Sequence, residues 1–190
     1  MIKAIDVGCG GNSFILDWVH DYLPEWDGQV EITNMDGNEE VHPDILHNIL
    51  TPMPKELKGQ FDFAYMSHVL EHVPWRDSVS VALEVASLVK DGGYMMVNVP
   101  SMEWACKEIL RGNYDMSVMM TIYGGQDDEW LFHKCGFTKP ALEVLAKRIG
   151  MKIYSLKESQ VLIQINEKIY NAMQHTLFMR KEGNDLTLGD

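Results

Sequence analysis

A carboxylate followed by two glycines near the start of the chain has the spacing of a small-ligand binding loop. Asp6 ends a short apolar segment, and Gly8 and Gly10 follow closely. Glycine lets the backbone turn sharply and lie against a ligand with no Cβ in the way. A loop built for a pyrophosphate disfavours an adjacent carboxylate, because like charges repel. The loop therefore favours a ligand with positive charge and no phosphate, such as S-adenosylmethionine with its sulfonium and ammonium groups.

A second carboxylate follows the next apolar segment. Residues 30–35 have the composition of a strand, and Asp36 stands at its end. A carboxylate at that point can accept hydrogen bonds from both ribose hydroxyls of an adenosine. A separation of roughly 20 residues from the loop also suits a nicotinamide dinucleotide. However, Ser13 stands where that fingerprint has its third glycine. Together with Asp6, this difference favours the sulfonium cofactor.

Two histidines and a glutamate form a third candidate group. His68, Glu71 and His72 are spaced at i, i+3 and i+4, so on a helix they would share one face. Two imidazoles and a carboxylate can hold a divalent metal. The alternative is that these residues only line a cleft, with His72 hydrogen-bonded to the backbone. We favour this second interpretation and predict no metal.

The elements that would position these residues alternate between strands and helices. Strand-like segments at 2–6, 30–35, 61–66 and 94–100 are separated by turns and by segments with helical periodicity. The helix before the last of these strands ends in the Lys-Asp-Gly-Gly run at 90–93. Such alternation predicts an α/β fold with its ligand at the carboxyl ends of parallel strands.

Four segments resemble, in order, the motifs of class I S-adenosylmethionine-dependent methyltransferases, in particular the small methyltransferase-11-type group. They are DVGCGGN, NMDG, FDFAYMSHVLEHVP and LVKDGGYMMVNVP. Residues 136–156 are similar to that group's last helix and sixth strand. The resemblance implies a doubly wound, Rossmann-like, mostly parallel sheet of seven strands with an antiparallel last strand. It also implies an enzyme that uses S-adenosylmethionine and releases S-adenosylhomocysteine.

The resemblance assigns the methionine end of the cofactor to the first and fourth strands. Gly8 and Gly10 would contact the cofactor, and Asp6 would bind its methionyl end directly or through water. Ser67 and His68, at the end of the fourth strand, would border the methionine arm and the transferred methyl group.

The adenosine end would lie beside the second and third strands. Asp36 would hold the ribose, and Gly37 and Asn38 would flank the adenine. Asn48 stands where the resembled group carries an aspartate beside the adenine amine. Its amide oxygen can still accept that hydrogen bond, or the backbone of Ile49 can make the contact instead.

A histidine near the end of the least regular segment is the candidate for chemistry on the substrate. His133 lies where the resembled group closes its substrate cleft, and a neutral histidine there could take a proton from a hydroxyl. A purely structural hydrogen bond is the alternative. His68, beside the transferred methyl, is the second catalytic candidate. Residues 113–135 show no regular pattern and are rich in methionine and aromatic residues, so they could form a lid or plain core.

The only indication of the methyl acceptor is that a motif of one class of methyltransferases is missing from the sequence. Methyltransferases of planar amines carry an Asn/Asp-Pro-Pro-aromatic motif after the fourth strand, whereas residues 67–70 here read Ser-His-Val-Leu. This difference favours O-methylation of a small molecule or a sugar. Two other functions stay open. One is a non-catalytic module that binds S-adenosylmethionine or adenosine, and the other is a nicotinamide-dependent oxidoreductase.

Charge and cysteine content limit the partners. The chain has 28 acidic and 16 basic residues and a formal charge of −12, which repels nucleic acids and anionic membranes. Its three cysteines form no CxxC pair, which argues against disulfides and a zinc knot. We saw neither a signal peptide nor an apolar run long enough to span a bilayer. We therefore expect a cytoplasmic protein with a small-molecule substrate; the oligomeric state is not indicated.

The domain boundaries follow from these elements. We predict one domain over 1–181, with a cap or lid insertion at about 101–135 and a frayed tail at 182–190. Within it, Ser101 and Thr138 would cap helices. For 160–173, apolar residues at helical spacing favour a helix, although a Val-Leu-Ile-Gln-Ile run at 161–165 would also suit a strand.

Overall fold

The computed structural model describes residues 1–11, 14–165 and 167–183, and its centre is a sheet of seven strands. The strands are β1 (Ile2–Val7), β2 (Val30–Asp36), β3 (Ile45–Leu46), β4 (Phe61–Ser67), β5 (Val89–Pro100), β6 (Met151–Ile165) and β7 (Lys168–Lys181).

The strand order in the sheet is β3-β2-β1-β4-β5-β7-β6. The first five strands pair in parallel, whereas β7 is antiparallel to both β5 and β6. The predicted fold class is therefore confirmed. Because β1 is paired with β2 on one side and with β4 on the other, the connections diverge at β1. The carboxyl ends of β1 and β4 border the crevice where such sheets bind ligands.

Helices cover both faces of the sheet. They are α1 (Ile15–Tyr22), α2 (Ser78–Leu88), α3 (Met102–Leu110), α4 (Met116–Tyr123) and α5 (Lys139–Arg148). One buried cluster packs α2 and α5 against the sheet, and a second packs α1 against the aromatic side chains of the opposite face. Among the described residues, no helix is long and apolar enough to cross a membrane.

The predicted helix caps are confirmed. The Ser101 hydroxyl accepts a hydrogen bond from the Trp104 backbone at 3.1 Å. Thr138 accepts one from the backbone of Ala141 at 3.3 Å, and Pro140 occupies the first turn of α5. Each oxygen satisfies a backbone N–H that has no partner within its own helix. The two caps therefore fix where the chain enters α3 and α5.

The helix predicted for 160–173 is wrong, because the chain forms the end of β6 and the start of β7 there. Val161 and Ile163 line a cavity, and Leu162 between them is 63% exposed, which is the period-2 alternation of a strand. Ile163 pairs with Tyr170 across the hairpin. The apparent helical period was therefore an accident of a segment rich in β-branched residues, which favour strands.

Two further boundaries differ from expectation. Residues 113–135 are not wholly irregular: α4 begins after Asp115, whose carboxylate accepts hydrogen bonds from the backbone of Ser117 and Val118. The strand expected from residue 94 starts at Val89, directly after α2, and its pairing with β4 is irregular near Phe61. Of the predicted tail, residues 184–190 lie outside the described residues.

Candidate active site

The glycine loop after β1 is held against two other segments. Gly8 donates its backbone N–H to the carbonyl of Met35 at 2.8 Å, and its φ of 74° lies in the region that favours glycine. A Cβ built on Gly8 would overlap the side chain of Val69. The loop can therefore approach the chain that follows β4 only because it carries glycine at this point.

Asp36 connects the loop to the end of β2. One carboxylate oxygen accepts the backbone N–H of Gly10 at 2.9 Å, and the other accepts that of Asn38 at 2.8 Å. Each carboxylate oxygen has a second lone pair. Asp36 can thus hold the loop in place and still accept hydrogen bonds from a ligand.

A cavity of about 310 Å³ opens beside this carboxylate. Eight of the residues predicted to bind the cofactor line it: Gly8, Gly10, Asp36, Gly37, Asn38, Asn48, Ile49 and His68. Asp6 and Ser67 are not among the lining residues. Asp6 is 2% exposed at the end of β1, and Ser67 accepts a hydrogen bond from the Asn98 amide at 3.3 Å. The structure therefore brings together most of the predicted set.

A second cavity, of about 240 Å³, adjoins the first. His68, His72 and Leu131 line both cavities. The rest of the second wall comes from the 3₁₀ turn at Leu70–His72, from α4 and the chain after it, and from the β6–β7 hairpin. The two cavities are therefore neighbours whose boundary contains these three residues.

His68 stands at that boundary in an unusual backbone conformation. Its φ is 54°, a left-handed conformation that costs free energy for a residue with a Cβ and is concentrated at functional sites. Its Nδ1 lies 3.2 Å from Oε1 of Glu71, and its Nε2 lies 2.8 Å from Oε1 of Gln174. Burial lowers the pKa of His68, but the hydrogen bond and charge of Glu71 outweigh burial and raise it overall. Both ring nitrogens can then donate, as in an imidazolium.

Glu71 is the buried partner of this histidine. It is 1% exposed, and burial raises the pKa of its carboxyl group, but the hydrogen bond and charge of His68 lower the pKa overall. Its Oε2 is buried and has no hydrogen-bond partner among the residues that the structure describes. A buried carboxylate oxygen in this state is an acceptor available to a ligand.

Two further histidines face the second cavity with their donor nitrogens already in use. His72 Nδ1 lies 3.1 Å from the Phe132 carbonyl, and His133 Nδ1 lies 3.0 Å from the Thr121 carbonyl. Each Nδ1 must donate to its carbonyl, so in the neutral rings Nε2 carries the lone pair. Burial lowers the pKa of His133, and the charge of Glu71 offsets this only in part.

Backbone hydrogen bonds hold these histidines beside the glutamate. Lys134 donates its N–H to the carbonyl of Glu71 at 2.7 Å, and His133 donates its own to Tyr123 at 3.1 Å. The rings of His72 and His133 consequently lie 4.9 Å apart, edge to face. The structure thus joins residues that are about 60 positions apart in the chain.

A family comparison identifies the domain. Residues 2–156 match the family model described as the methyltransferase domain. The chain belongs to the methyltransferase family. This confirms the resemblance to class I enzymes seen in the sequence motifs, and with it an S-adenosylmethionine-dependent enzyme. No curated protein matches the sequence.

Solved structures share the fold of this methyltransferase at low sequence identity. An S-adenosylmethionine-dependent methyltransferase from Methanosarcina mazei is 18% identical with a TM-score of 0.62, over 95% of this chain and 92% of the other. One from Anabaena variabilis is 13% identical with a TM-score of 0.61, over 95% and 77%. The Burkholderia thailandensis 1,6-didemethyltoxoflavin-N1-methyltransferase, with bound 1,6-didemethyltoxoflavin and S-adenosylhomocysteine, is 12% identical with a TM-score of 0.56, over 95% and 71%.

The residues that could hold a metal in this methyltransferase differ from the group considered in the sequence. His68 is paired with Glu71 and Gln174, whereas Glu71, His72 and His133 bring three donor atoms within 4.8 Å of one another. The ligands of a tetrahedral zinc ion, each at ~2.0–2.1 Å from the metal, stand ~3.3 Å apart, a spacing that the 4.8 Å limit does not exclude. The prediction of a metal-free site stays our interpretation.

Several residues that line the first cavity of the methyltransferase were not predicted from the sequence to contact the cofactor. Val69, Trp130, Leu131 and Lys134 line the first cavity. The Trp130 indole lies 3.9 Å from the point where a Gly37 side chain would begin. Contacts between segments so distant in the chain leave no local pattern in the sequence. The only sequence signal for a cofactor contact here was that Trp130 is an aromatic residue in the segment 113–135.

Proposed function

We propose that the protein transfers the methyl group of S-adenosylmethionine to a hydroxyl oxygen of a small molecule held in the second cavity. The observation that carries this proposal is the junction of the two cavities at His68, His72 and Leu131. A methyl group leaving a ligand in the first cavity can cross there directly to an acceptor in the second.

The cofactor would lie along the first cavity. Its ribose hydroxyls would donate to Asp36, whose oxygens have lone pairs beyond those used by Gly10 and Asn38. Its adenine would lie near Gly37 and Asn38, between the Asn48–Ile49 chain and the Trp130 ring, which can stack on a base. The methionine end would run past Gly8 toward His68. Asp6 and Ser67 would lie behind the residues that line this cavity.

His133 would act as the general base. Its lowered pKa leaves Nε2 unprotonated near neutrality, and its Nδ1 is fixed by the Thr121 carbonyl. Nε2 would accept the hydroxyl proton as the acceptor oxygen takes up the methyl group. Bound S-adenosylmethionine would supply that methyl group from its sulfonium, with the electron pair of the carbon–sulfur bond remaining on sulfur in S-adenosylhomocysteine. Because the sulfonium is already an activated donor, alignment and exclusion of water supply most of the acceleration.

His68 was predicted to be catalytic, and its geometry supports a positioning role rather than that of a base. A ring whose pKa is raised and whose two nitrogens contact Glu71 and Gln174 has no lone pair with which to take a proton. Its imidazolium would hold the Glu71 carboxylate in place on the wall of the second cavity.

The acceptor would be small and largely apolar. Side chains of Met120, Leu131, Val161, Ile163 and Met173 line the second cavity, which is about 240 Å³ in volume. Residues 101–135, which supply Met120 and Leu131, would form the lid that the sequence suggested. The B. thailandensis enzyme, which shares the fold, was solved with 1,6-didemethyltoxoflavin bound, which is consistent with a small-molecule acceptor. A cytoplasmic location and the absence of nucleic-acid and membrane partners are further expectations.

Turnover with hydroxyl acceptors tests this proposal. S-Adenosylmethionine labelled in the methyl group should give S-adenosylhomocysteine and a methyl ether in equal amounts when a small phenol or alcohol is accepted. His133→Gln should reduce the rate by roughly 10²–10⁴-fold, the usual contribution of a general base. Binding of the cofactor with no transfer to any acceptor would instead support the non-catalytic module. Binding of NAD in its place would support the oxidoreductase.

A further inference from the structure

The inference concerns the second cavity and rests on the proposed methyl transfer. Its starting point is the Oε2 atom of Glu71, which is buried and has no hydrogen-bond partner among the described residues. The other oxygen of this carboxylate is occupied by His68 at 3.2 Å. A buried acceptor of this kind is normally satisfied. A hydrogen-bond donor on the substrate would satisfy it.

The neighbouring polar atoms are acceptors as well. With Nδ1 of both rings donating to backbone carbonyls, Nε2 is the acceptor in each neutral ring. One ring nitrogen of each histidine and one oxygen of Glu71 lie within 4.8 Å of one another. The hydroxyl of Thr121, on the same wall, already donates to the Ser117 carbonyl at 2.9 Å. The polar end of this cavity is therefore complementary to a molecule that presents more than one donor.

A pair of hydroxyls on adjacent carbons fits this arrangement. Each hydroxyl donates over ~2.7–2.8 Å, so two neighbouring hydroxyls can reach His133 and Glu71, whose ligand atoms lie within 4.8 Å of each other. One hydroxyl would donate to His133 and be methylated. The other would donate to Glu71 and keep its proton, because the carboxylate with its lowered pKa accepts a hydrogen bond without taking the proton.

The remaining walls decide what carries the two hydroxyls. Apart from Asp127, they are mainly apolar side chains of α4 and of the β6–β7 hairpin, including two methionines, Met120 and Met173. A sugar would leave its other hydroxyls against these walls without partners, which is unfavourable. A flat apolar ring would fill them, and methionine sulfur makes favourable contacts with aromatic rings. The volume of about 240 Å³, roughly eight times the ~30 Å³ of a liquid water molecule, suits one ring with small substituents.

We infer that the methyl acceptor is an aromatic vicinal diol, anchored by Glu71 through the hydroxyl that is not methylated. Glu71 then determines specificity, because a ring with one hydroxyl would leave its Oε2 unsatisfied. Sites built to bind a substrate hydroxyl discriminate strongly against analogues that lack it.

Binding to the protein loaded with S-adenosylhomocysteine tests this inference independently of turnover. Catechol, resorcinol and phenol would be titrated by calorimetry in the presence of EDTA. We expect catechol to bind at least about tenfold more tightly than phenol, because it alone satisfies both acceptors with adjacent hydroxyls. Equal affinities, or no catechol binding up to ~10 mM, would overturn the inference. Catechol binding that requires added zinc or magnesium would also overturn it, in favour of a metal at this site.

Variants then assign the preference to Glu71. Glu71→Gln keeps the shape of the side chain and should reduce the ratio of phenol to catechol dissociation constants to about 1–2. Glu84→Gln is the matched control, since Glu84 is also paired with a cation, Lys58 at 3.0 Å, and lies outside both cavities. It should leave the ratio unchanged. An unaltered ratio in folded Glu71→Gln would contradict the inference; if this variant does not fold, the wild-type comparison alone decides.

Turnover separates this inference from the function on which it rests. Formation of a methyl ether from phenol as efficiently as from catechol would leave the methyltransferase function standing and remove the diol. Tight catechol binding without any methyl transfer would support a diol-binding cavity and remove the methyltransferase function.

Discussion

His68 and Glu71 form an ion pair at the wall between the two cavities, with Nδ1 and Oε1 3.2 Å apart. The pair joins a residue that lines both cavities to a carboxylate that lines the second. Each partner stabilises the charged form of the other, so the pKa of His68 is raised and that of Glu71 is lowered despite burial. This mutual stabilisation favours the charged pair in the free protein, which would contribute to electrostatic preorganisation of the site.

Removal of the Asp36 carboxylate should weaken cofactor binding. Asp36→Ala deletes charge-assisted hydrogen bonds to the ribose worth about 1.5–3 kcal/mol, so the affinity for S-adenosylhomocysteine should fall roughly tenfold to a hundredfold. Asp44→Ala is the control, because Asp44 also accepts a backbone hydrogen bond, from Asn34 at 2.8 Å, and does not line the cavity. Calorimetry would measure both. Full affinity in Asp36→Ala would exclude the ribose contact.

Substitution of Gly8 should disturb the cofactor loop by collision as well as by backbone strain. Gly8→Ala places a methyl group into Val69, whereas Gly28→Ala, at a similar φ of 71°, has open space around its Cβ. Both variants carry the left-handed penalty of ~1–2 kcal/mol, but only Gly8→Ala should also lose cofactor affinity. Thermal denaturation with and without S-adenosylhomocysteine would report both effects. Equal ligand-induced stabilisation in the two variants would mean that the approach of Gly8 to Val69 does not shape the binding site.

The pH dependence of methyl transfer should show the lowered pKa of His133. A base must be unprotonated, so the rate falls as the pH drops through this pKa, which burial places below the usual 6.5 of histidine. At saturating cofactor, the wild-type rate should therefore still exceed half of its maximum at pH 6.5. His133→Gln should be slower and should lose this acidic limb. An identical limb in the variant would assign the titration to another group.

The segment from Gly124 to Leu131 should become protected when both cavities are filled. It contributes residues to both walls and contains Gln126 at a φ of 60°, and Trp130 and Leu131 within it are 52% and 38% exposed. Hydrogen exchange should slow across it in the presence of S-adenosylhomocysteine and an acceptor, while α2, which lines neither cavity, serves as an internal reference. Strong protection that is already complete in the free protein would make the segment part of the core rather than a lid.

The sequence allowed prediction of the parts of the site that are local in the chain. Gly8 and Asp36 follow directly from strand ends and turn chemistry, so their meeting at one cavity could be expected from the parallel order of the strands. The convergence of Glu71 with His133 could not, since it depends on the Lys134 hydrogen bond that joins two distant segments. The β6–β7 hairpin was missed because short apolar runs fit both the helical repeat and the two-residue repeat of a strand. Pairing with a partner strand, which the sequence does not show, decides between the two.

A structure of the protein with bound S-adenosylhomocysteine tests the central claim most directly. We expect the ribose hydroxyls within hydrogen-bonding distance of the Asp36 carboxylate, which now accepts from Gly10 and Asn38 at 2.9 and 2.8 Å. The thioether sulfur should lie at the junction of the two cavities, beside His68 and facing the acceptor cavity. A ribose remote from Asp36, or a sulfur that points away from that junction, would contradict the proposed methyl transfer.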